Sequence, residues 1–242
     1  GEMLKRGGLA KAEAHEAALG LPVLNPARQA VHCTRQETAE LLRGIPGLVV
    51  PRVMRFRLEP GILPGLRSRI KELFGYPVIV RSVGEQEAAN LYLAQDDDGL
   101  WTALTQLLAM GDKDIYVIEY IEVIHENGMH RRLRAAFVEK APMLMRADFD
   151  ARWCVKGRKT ESIQAIYKRE QSLREQADMI IRNPPQLGDE AWAVLDMIAQ
   201  RMPLDVFGID FDVDGSGRVV FFEANATMNL LSTAPPEIDY PP

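Results

Sequence analysis

Phe207-Gly208-Ile209-Asp210-Phe211-Asp212-Val213-Asp214-Gly215-Ser216-Gly217-Arg218-Val219-Val220-Phe221-Phe222-Glu223-Ala224-Asn225 decides how this chain is read. Two alternating runs flank a Gly-rich turn, the pattern of a β-hairpin. Strand side chains point to opposite faces in turn. Ile209, Phe211, Val213, Val220, Phe222 and Ala224 therefore share one predicted face, the core, and Asp210, Asp212, Glu223 and Asn225 share the other. A four-residue loop over 215–218 pairs Asp214 with Val219 and sets Asp210 across from Glu223, with opposed side chains about 4.5–5.5 Å apart. Three acids and an amide gathered in this way repel one another unless a cation sits among them. An acidic solvent face on an edge hairpin is the competing reading. An EF-hand loop is excluded, because its position 12 needs a bidentate Glu where this chain has Phe221, and the flanks read as strands, not helices.

Outward from the hairpin, the chain has 242 residues, 47% hydrophobic and 26% charged. Such a composition excludes collagen, coiled coil and wholesale disorder, and the length allows one large domain or two small ones. Lys and Arg number 29 against 34 Asp and Glu, a net charge of −5, which gives no general footing for nucleic acid or an anionic membrane. Two cysteines, Cys33 and Cys154, exclude a disulfide framework or a four-thiolate zinc site. The four histidines show no ligand-pair spacing. No apolar run suits a membrane span and the first twenty residues do not resemble a signal peptide, so the expected location is cytoplasmic.

Ahead of the hairpin, residues 3–19 predict a helix closed by Gly20. Thr34-Arg35-Gln36-Glu37 has capping-box spacing and opens a helix with Leu41 and Leu42 inward and Gly44 as its stop. A Val-rich strand over 48–54 lies in a Gly/Pro-rich connector. A helix over 66–74 ends at Gly75, and Tyr76-Pro77-Val78-Ile79-Val80-Arg81 is a buried strand ending on a cation. Asp96-Asp97-Asp98-Gly99 caps a helix with Leu100, Trp101, Leu104, Leu107 and Leu108 as its apolar stripe. Strands follow over 115–123 and 133–138, helices over 161–182 and 189–200, and strands over 204–213 and 218–226. In His130-Arg131-Arg132-Leu133-Arg134, parity puts Arg132 and Arg134 on one face, suited to an anion or simply a basic surface. The order is mixed, α+β or α/β with antiparallel sheets, and the section 58–114 reads as a small lobe of its own.

With these residues in view, the hairpin resembles the metal-binding end of the ATP-grasp superfamily, carboxylate–amine ligases of the glutathione synthetase kind. There an Asp precedes Glu-x-Asn by about a dozen residues; Asp210 and Glu223-Ala224-Asn225 match. The strand of Arg132 and Arg134, Trp153 and the closing Phe-Glu-Ala-Asn-Ala-Thr-Met resemble a bacterial subgroup often fused to helical repeats. The resemblance spans about 34–229 and implies two α+β lobes with antiparallel sheets clasping a nucleotide. It divides the chain into a truncated N-terminal α/β segment with connector (1–57), a small lobe (58–114) and a large lobe with the hairpin (115–242).

The resemblance also implies a site. Asp210, Glu223 and Asn225 would hold Mg²⁺ or Mn²⁺, Arg35 and Arg81 would meet the phosphates of ATP, and Glu119-Tyr120-Ile121 would form the adenine hinge. Glu126 would receive the ribose, and Arg132 and Arg134 the transferred phosphoryl group. The implied activity is ATP-dependent joining of a carboxylate to an amine or thiol through an acyl-phosphate. The implied partners are those small molecules, a helical-repeat protein and a second copy of the chain, with no nucleic acid and no membrane. A non-catalytic nucleotide-binding module and a phosphotransferase stay open beside it. Three positions depart from the family: the loop Ser82-Val83-Gly84-Glu85-Gln86-Glu87-Ala88-Ala89-Asn90 holds one glycine, Gly208 stands where some ligases have Arg, and the N-terminal segment is short.

Overall fold

A computed structural model of the chain describes residues 7–84, 90–126, 128–155 and 187–226. The helix expected over 161–182 lies outside them, as do the start of the first helix and the tail beyond Ala226. The elements in order are α1 (Leu9–Leu19), α2 (Ala27–Ala30), α3 (Arg35–Leu42), β1 (Leu48–Val49), β2 (Val53–Arg57), α4 (Leu63–Phe74), β3 (Val78–Ser82), β4 (Leu91–Ala94), α5 (Asp97–Ala109), β5 (Asp114–Glu119), β6 (His130–Val138), β7 (Ala141–Asp150), α6 (Asp189–Arg201), β8 (Val206–Val213) and β9 (Val219–Asn225).

Two sheets organise the molecule, β1-β9-β8-β6-β7 and β2-β5-β3-β4, an α+β arrangement whose pairings are antiparallel except for parallel β1–β9. The four-stranded sheet completes the section 58–114 with one strand from each side. The Val-rich connector is not one strand but two, because Pro51 has no N–H for a ladder. β1 joins the larger sheet beside β9, and β2 crosses to the smaller one beside β5.

Capping chemistry sets the helix starts as expected. Thr34 Oγ1 accepts from Glu37 N–H at 3.3 Å and donates to its carboxylate at 2.7 Å, and Asp96 accepts from Gly99 N–H at 2.8 Å. Inward faces differ from expectation at two positions. Leu42 is buried, whereas Leu41 is exposed, being one residue off the face that Ala39 and Leu42 turn to the sheets. Trp101 lies outside the α5 stripe, with the Arg67 guanidinium 5.2 Å from its ring centre.

Each sheet has its own core. Leu133, Ala135, Phe137, Phe207, Ile209, Phe211 and Phe221 pack beneath α6 in the large sheet, where the Phe137 and Phe207 rings stack at 4.3 Å. Val78, Val80, Ile115 and Val117 pack with α4 and α5 in the small one. α3 stands between them. Its Leu42 enters the large core, its Ala39 packs with Val53, Tyr116 and Ile118 behind the small sheet, and its Gln36 side chain accepts from Arg55 N–H on β2 at 3.0 Å. The N-terminal end of α3 is thereby held at the junction of the sheets.

β7 lies where the sequence reading predicts no strand. Its Arg146-Ala147-Asp148-Phe149-Asp150 alternation, charged against apolar, is nevertheless the period of a half-buried strand.

Candidate active site

The hairpin opposes Asp210 and Glu223 as parity predicts, but by another route. The turn closes one residue earlier than expected. Val213 pairs with Val219 and Phe211 with Phe221, and the register shifts between Phe211 and Asp210. The extra residue is Phe222, a β-bulge that reverses the phase of β9. Two assignments of face change with it: Phe221, not Phe222, enters the core, and Val220 lies opposite Asp212. The bulge has a partner, for the Phe222 carbonyl accepts from Arg35 Nη1 at 3.0 Å.

Asp210 and Glu223 belong to a transverse row. Arg146 on β7 faces Arg134 on β6, Arg134 faces Asp210 on β8, and Asp210 faces Glu223 on β9. Neighbouring strands are about 4.8 Å apart, so the four side chains form a strip roughly 14 Å long. One step along the strands, Arg132 faces Asp148.

The strip is densely paired. Arg134 forks onto Asp210 with Nε to Oδ1 at 2.7 Å and Nη2 to Oδ2 at 2.9 Å, a bidentate geometry that adds direction to charge. The hydrogen bond to Asp210 moves Arg134 further above its ordinary pKa. Arg132 Nη1 lies 3.7 Å from Asp210 Oδ2. Arg35 Nη2 bonds Glu223 Oε2, and Arg81, from the small sheet, brings Nη1 to 3.8 Å of the same oxygen. Burial pushes the Glu223 carboxyl up, but Arg35 and Arg81 more than reverse this and hold it below the usual carboxylate value. Asp148 accepts from Arg132 Nη2 at 2.8 Å and Arg146 Nε at 2.7 Å. Five guanidiniums thus meet three carboxylates, Asp148, Asp210 and Glu223. The excess of positive charge suits an anion.

Asp212 does not join this cluster. It is wholly buried and accepts from Arg131 Nε at 2.6 Å, with His125 Nε2 at 2.8 Å. The expected patch of three acids and an amide reduces to Asp210, Glu223 and Asn225, with Asn225 paired to Gly208 at the end of β9. Among the described residues no group of three or more His, Cys, Asp or Glu is arranged to hold a metal ion. The remaining set consists of hard oxygen donors, which suit Mg²⁺ when phosphate oxygens complete its shell.

The residues expected at the hinge lie apart from the strip. Val78 pairs with Glu119 and Arg81 with Tyr116, which separates Glu119 from Arg81 by about 10 Å along the strands. Glu119 is engaged by the connector: its N–H donates to Arg52 O at 2.8 Å and its carboxylate accepts from Arg52 N–H at 2.9 Å. The Tyr120 ring meets Trp153 edge-on at 6.0 Å, and burial, with Glu122 beside it, pushes its phenol up to about 12. Ile121 is half-buried and Glu126 exposed, the latter in a turn closed by His125 N–H to Met129 O at 3.0 Å. Arg146 and Asp148 are not among the residues expected at the site, although their alternation in β7 is an available signal, and neither are Arg131 and His125, whose pairing with Asp212 no local pattern marks.

No family model matches the sequence, and no curated protein matches it. Solved structures do match. PurK, an N5-carboxyaminoimidazole ribonucleotide synthetase in complex with ADP, has a TM-score of 0.54 at 11% identity over 85% of this chain and 48% of its own. A D-alanine–D-alanine ligase from Coxiella burnetii gives 0.50 at 15%, over 89% and 55%. A RimK domain ATP-grasp protein from Sphaerobacter thermophilus gives 0.51 at 16%, over 89% and 70%. The chain spans about half the length of the first two. At such identities the likeness speaks for architecture alone, and that architecture, two sheets with the Asp210–Glu223 hairpin in the larger one, is the ATP-grasp fold.

Proposed function

We propose that the protein is an ATP-dependent ligase that joins a carboxylate to an amine or thiol through an acyl-phosphate. The observation that carries this reading is the convergence of Arg35, Arg81, Arg132 and Arg134 on the opposed Asp210–Glu223 pair. Asp210, Glu223 and Asn225 would hold Mg²⁺ or Mn²⁺, which supplies charge neutralisation at the phosphates when bound. Arg35 and Arg81 would turn from Glu223 to the phosphate oxygens, and Arg134 from Asp210 to the transferred group. A carboxylate oxygen of the acceptor attacks the γ-phosphorus and the bond to the β-phosphate oxygen breaks, releasing ADP. The amine lone pair then attacks the acyl carbon, the carbon–oxygen bond breaks, and inorganic phosphate leaves with the proton that the nitrogen gives up. No side-chain nucleophile is required, because positioning and charge do the work.

A second reading, a nucleotide-binding module without turnover, is favoured by Arg134 taking both oxygens of Asp210. Hydroxylamine trapping over a panel of carboxylates with Mg·ATP separates the two. A hydroxamate with ADP release is the expected result. Stable binding of Mg·ATP with no ADP from any acid supports the module, and a phosphorylated product that resists hydroxylamine supports a phosphotransferase. Glu223→Ala should abolish ADP formation while leaving the circular dichroism spectrum unchanged. Turnover near wild type in that variant removes the metal assignment.

A further inference from the structure

We infer that Arg132, Asp148 and Arg146 form a seat for a monoanionic carboxylate beside Arg35, Arg81 and Arg134, an assignment that moves Arg132 from the phosphoryl group to the carboxylate. The inference rests on the proposed ligase reading for its role, but the seat itself rests on geometry. Asp148 is buried and clamps one guanidinium with each oxygen, Arg146 Nε at 2.7 Å and Arg132 Nη2 at 2.8 Å. Buried donors are left over on both: Arg132 Nε and Arg146 Nη2 have no hydrogen-bond partner among the described residues. Buried N–H groups without a partner are costly, and a bound water, ion or ligand is what satisfies them.

Like charges add to the case. Arg146 stands directly across from Arg134, and although each is paired with a carboxylate, Asp148 and Asp210, two guanidiniums opposed in this way favour an anion between them. Charge also selects the ligand. Two guanidiniums and one carboxylate leave a single positive charge, which matches a carboxylate better than a phosphate dianion. Placement along the row then gives the seat its use. Arg146 lies one strand beyond Arg134 and two beyond Asp210. A carboxylate held there stands beside a phosphoryl group over Arg134 and Asp210, where an attacking oxygen has to be. Arg132, which touches both Asp148 and Asp210, is the shared wall.

The test uses the whole protein labelled with ¹⁵N. Acetate and inorganic phosphate are titrated in turn while the Arg132 and Arg146 Nε–H resonances are followed, assigned with Arg132→Lys and Arg146→Lys. Acetate should give a saturable shift of the Arg132 signal, lost in Arg146→Met and weakened in Arg146→Lys. Affinity for Mg·ADP, measured by calorimetry, should stay within twofold of wild type in both variants. The absence of a saturable acetate shift in the wild-type protein overturns the seat without need of any variant. Saturation by phosphate in place of acetate, or a tenfold loss of Mg·ADP affinity in Arg146→Met, also overturns it by assigning Arg146 to the nucleotide. An acetate site in a protein that binds no Mg·ADP supports the seat and defeats the ligase reading, so the two failures are distinguishable.

Discussion

Asp212 and Asp210 are two residues apart on one strand and have different fates. Asp210, itself buried, takes the Arg134 fork in the strip proposed above as the ligand site, whereas Asp212, wholly buried, is locked by Arg131 and His125. A buried pair broken on one side leaves an uncompensated charge. Asp212→Ala is therefore expected to cost about 3–5 kcal/mol in urea unfolding, while Arg131→Met combined with Asp212→Leu regains most of that loss. A loss below about 1 kcal/mol for Asp212→Ala would mean that the pair holds nothing in place.

At the scale of the element, the hairpin turn does the work that the alternation of its strands cannot. Asp214 Oδ1 accepts from Ser216 N–H at 2.9 Å, Ser216 Oγ at 2.7 Å and Arg218 N–H at 3.0 Å, and Oδ2 from Arg218 Nε at 3.0 Å. Gly217 takes the left-handed conformation, φ +81°, that this closure needs. The turn fixes Val213 against Val219, and the bulge at Phe222 then restores the phase that brings Glu223 to Asp210. Burial pushes the Asp214 carboxyl up, and the bonds from Ser216 and Arg218 outweigh it, holding the group below its ordinary 3.8. A depressed carboxylate stabilises the fold above its unfolded pKa, and that contribution drains as pH falls through the folded value. Asp214→Ala should cost about 1–3 kcal/mol at neutral pH. The gap to wild type should narrow as the medium is taken below 3.8. A gap that stays constant through that range in thermal melts at stepped pH would show that the charge is not what closes the turn.

Across the whole molecule, the proposed ligand site draws on both sheets and the helix between them. Arg81 comes from the small sheet, Arg35 from α3, and the opposed carboxylates from the large sheet. A nucleotide bound there bridges the lobes, so Mg·ADP should raise the melting temperature in a single transition, with about 2.7 kcal/mol gained at a hundredfold excess over Kd. Separate melting of the lobes, with only one responding to Mg·ADP, would contradict a shared site. Along the chain alone, the caps at Thr34 and Asp96, the hairpin and the opposition of Asp210 to Glu223 were all legible, because each depends on residues a few positions apart or on the two-residue period of a strand. The bulge at Phe222, the diversion of Asp212 and the charge clamp at Asp148 were not. Arg35 reaches the bulge from 187 residues away, and His125 and Arg131 reach Asp212 from 87 and 81. Local periodicity tells which face a charge occupies. Which opposite charge meets it there depends on how distant strands are brought side by side, and in a low-dielectric interior that pairing decides whether a carboxylate is a strut or a ligand.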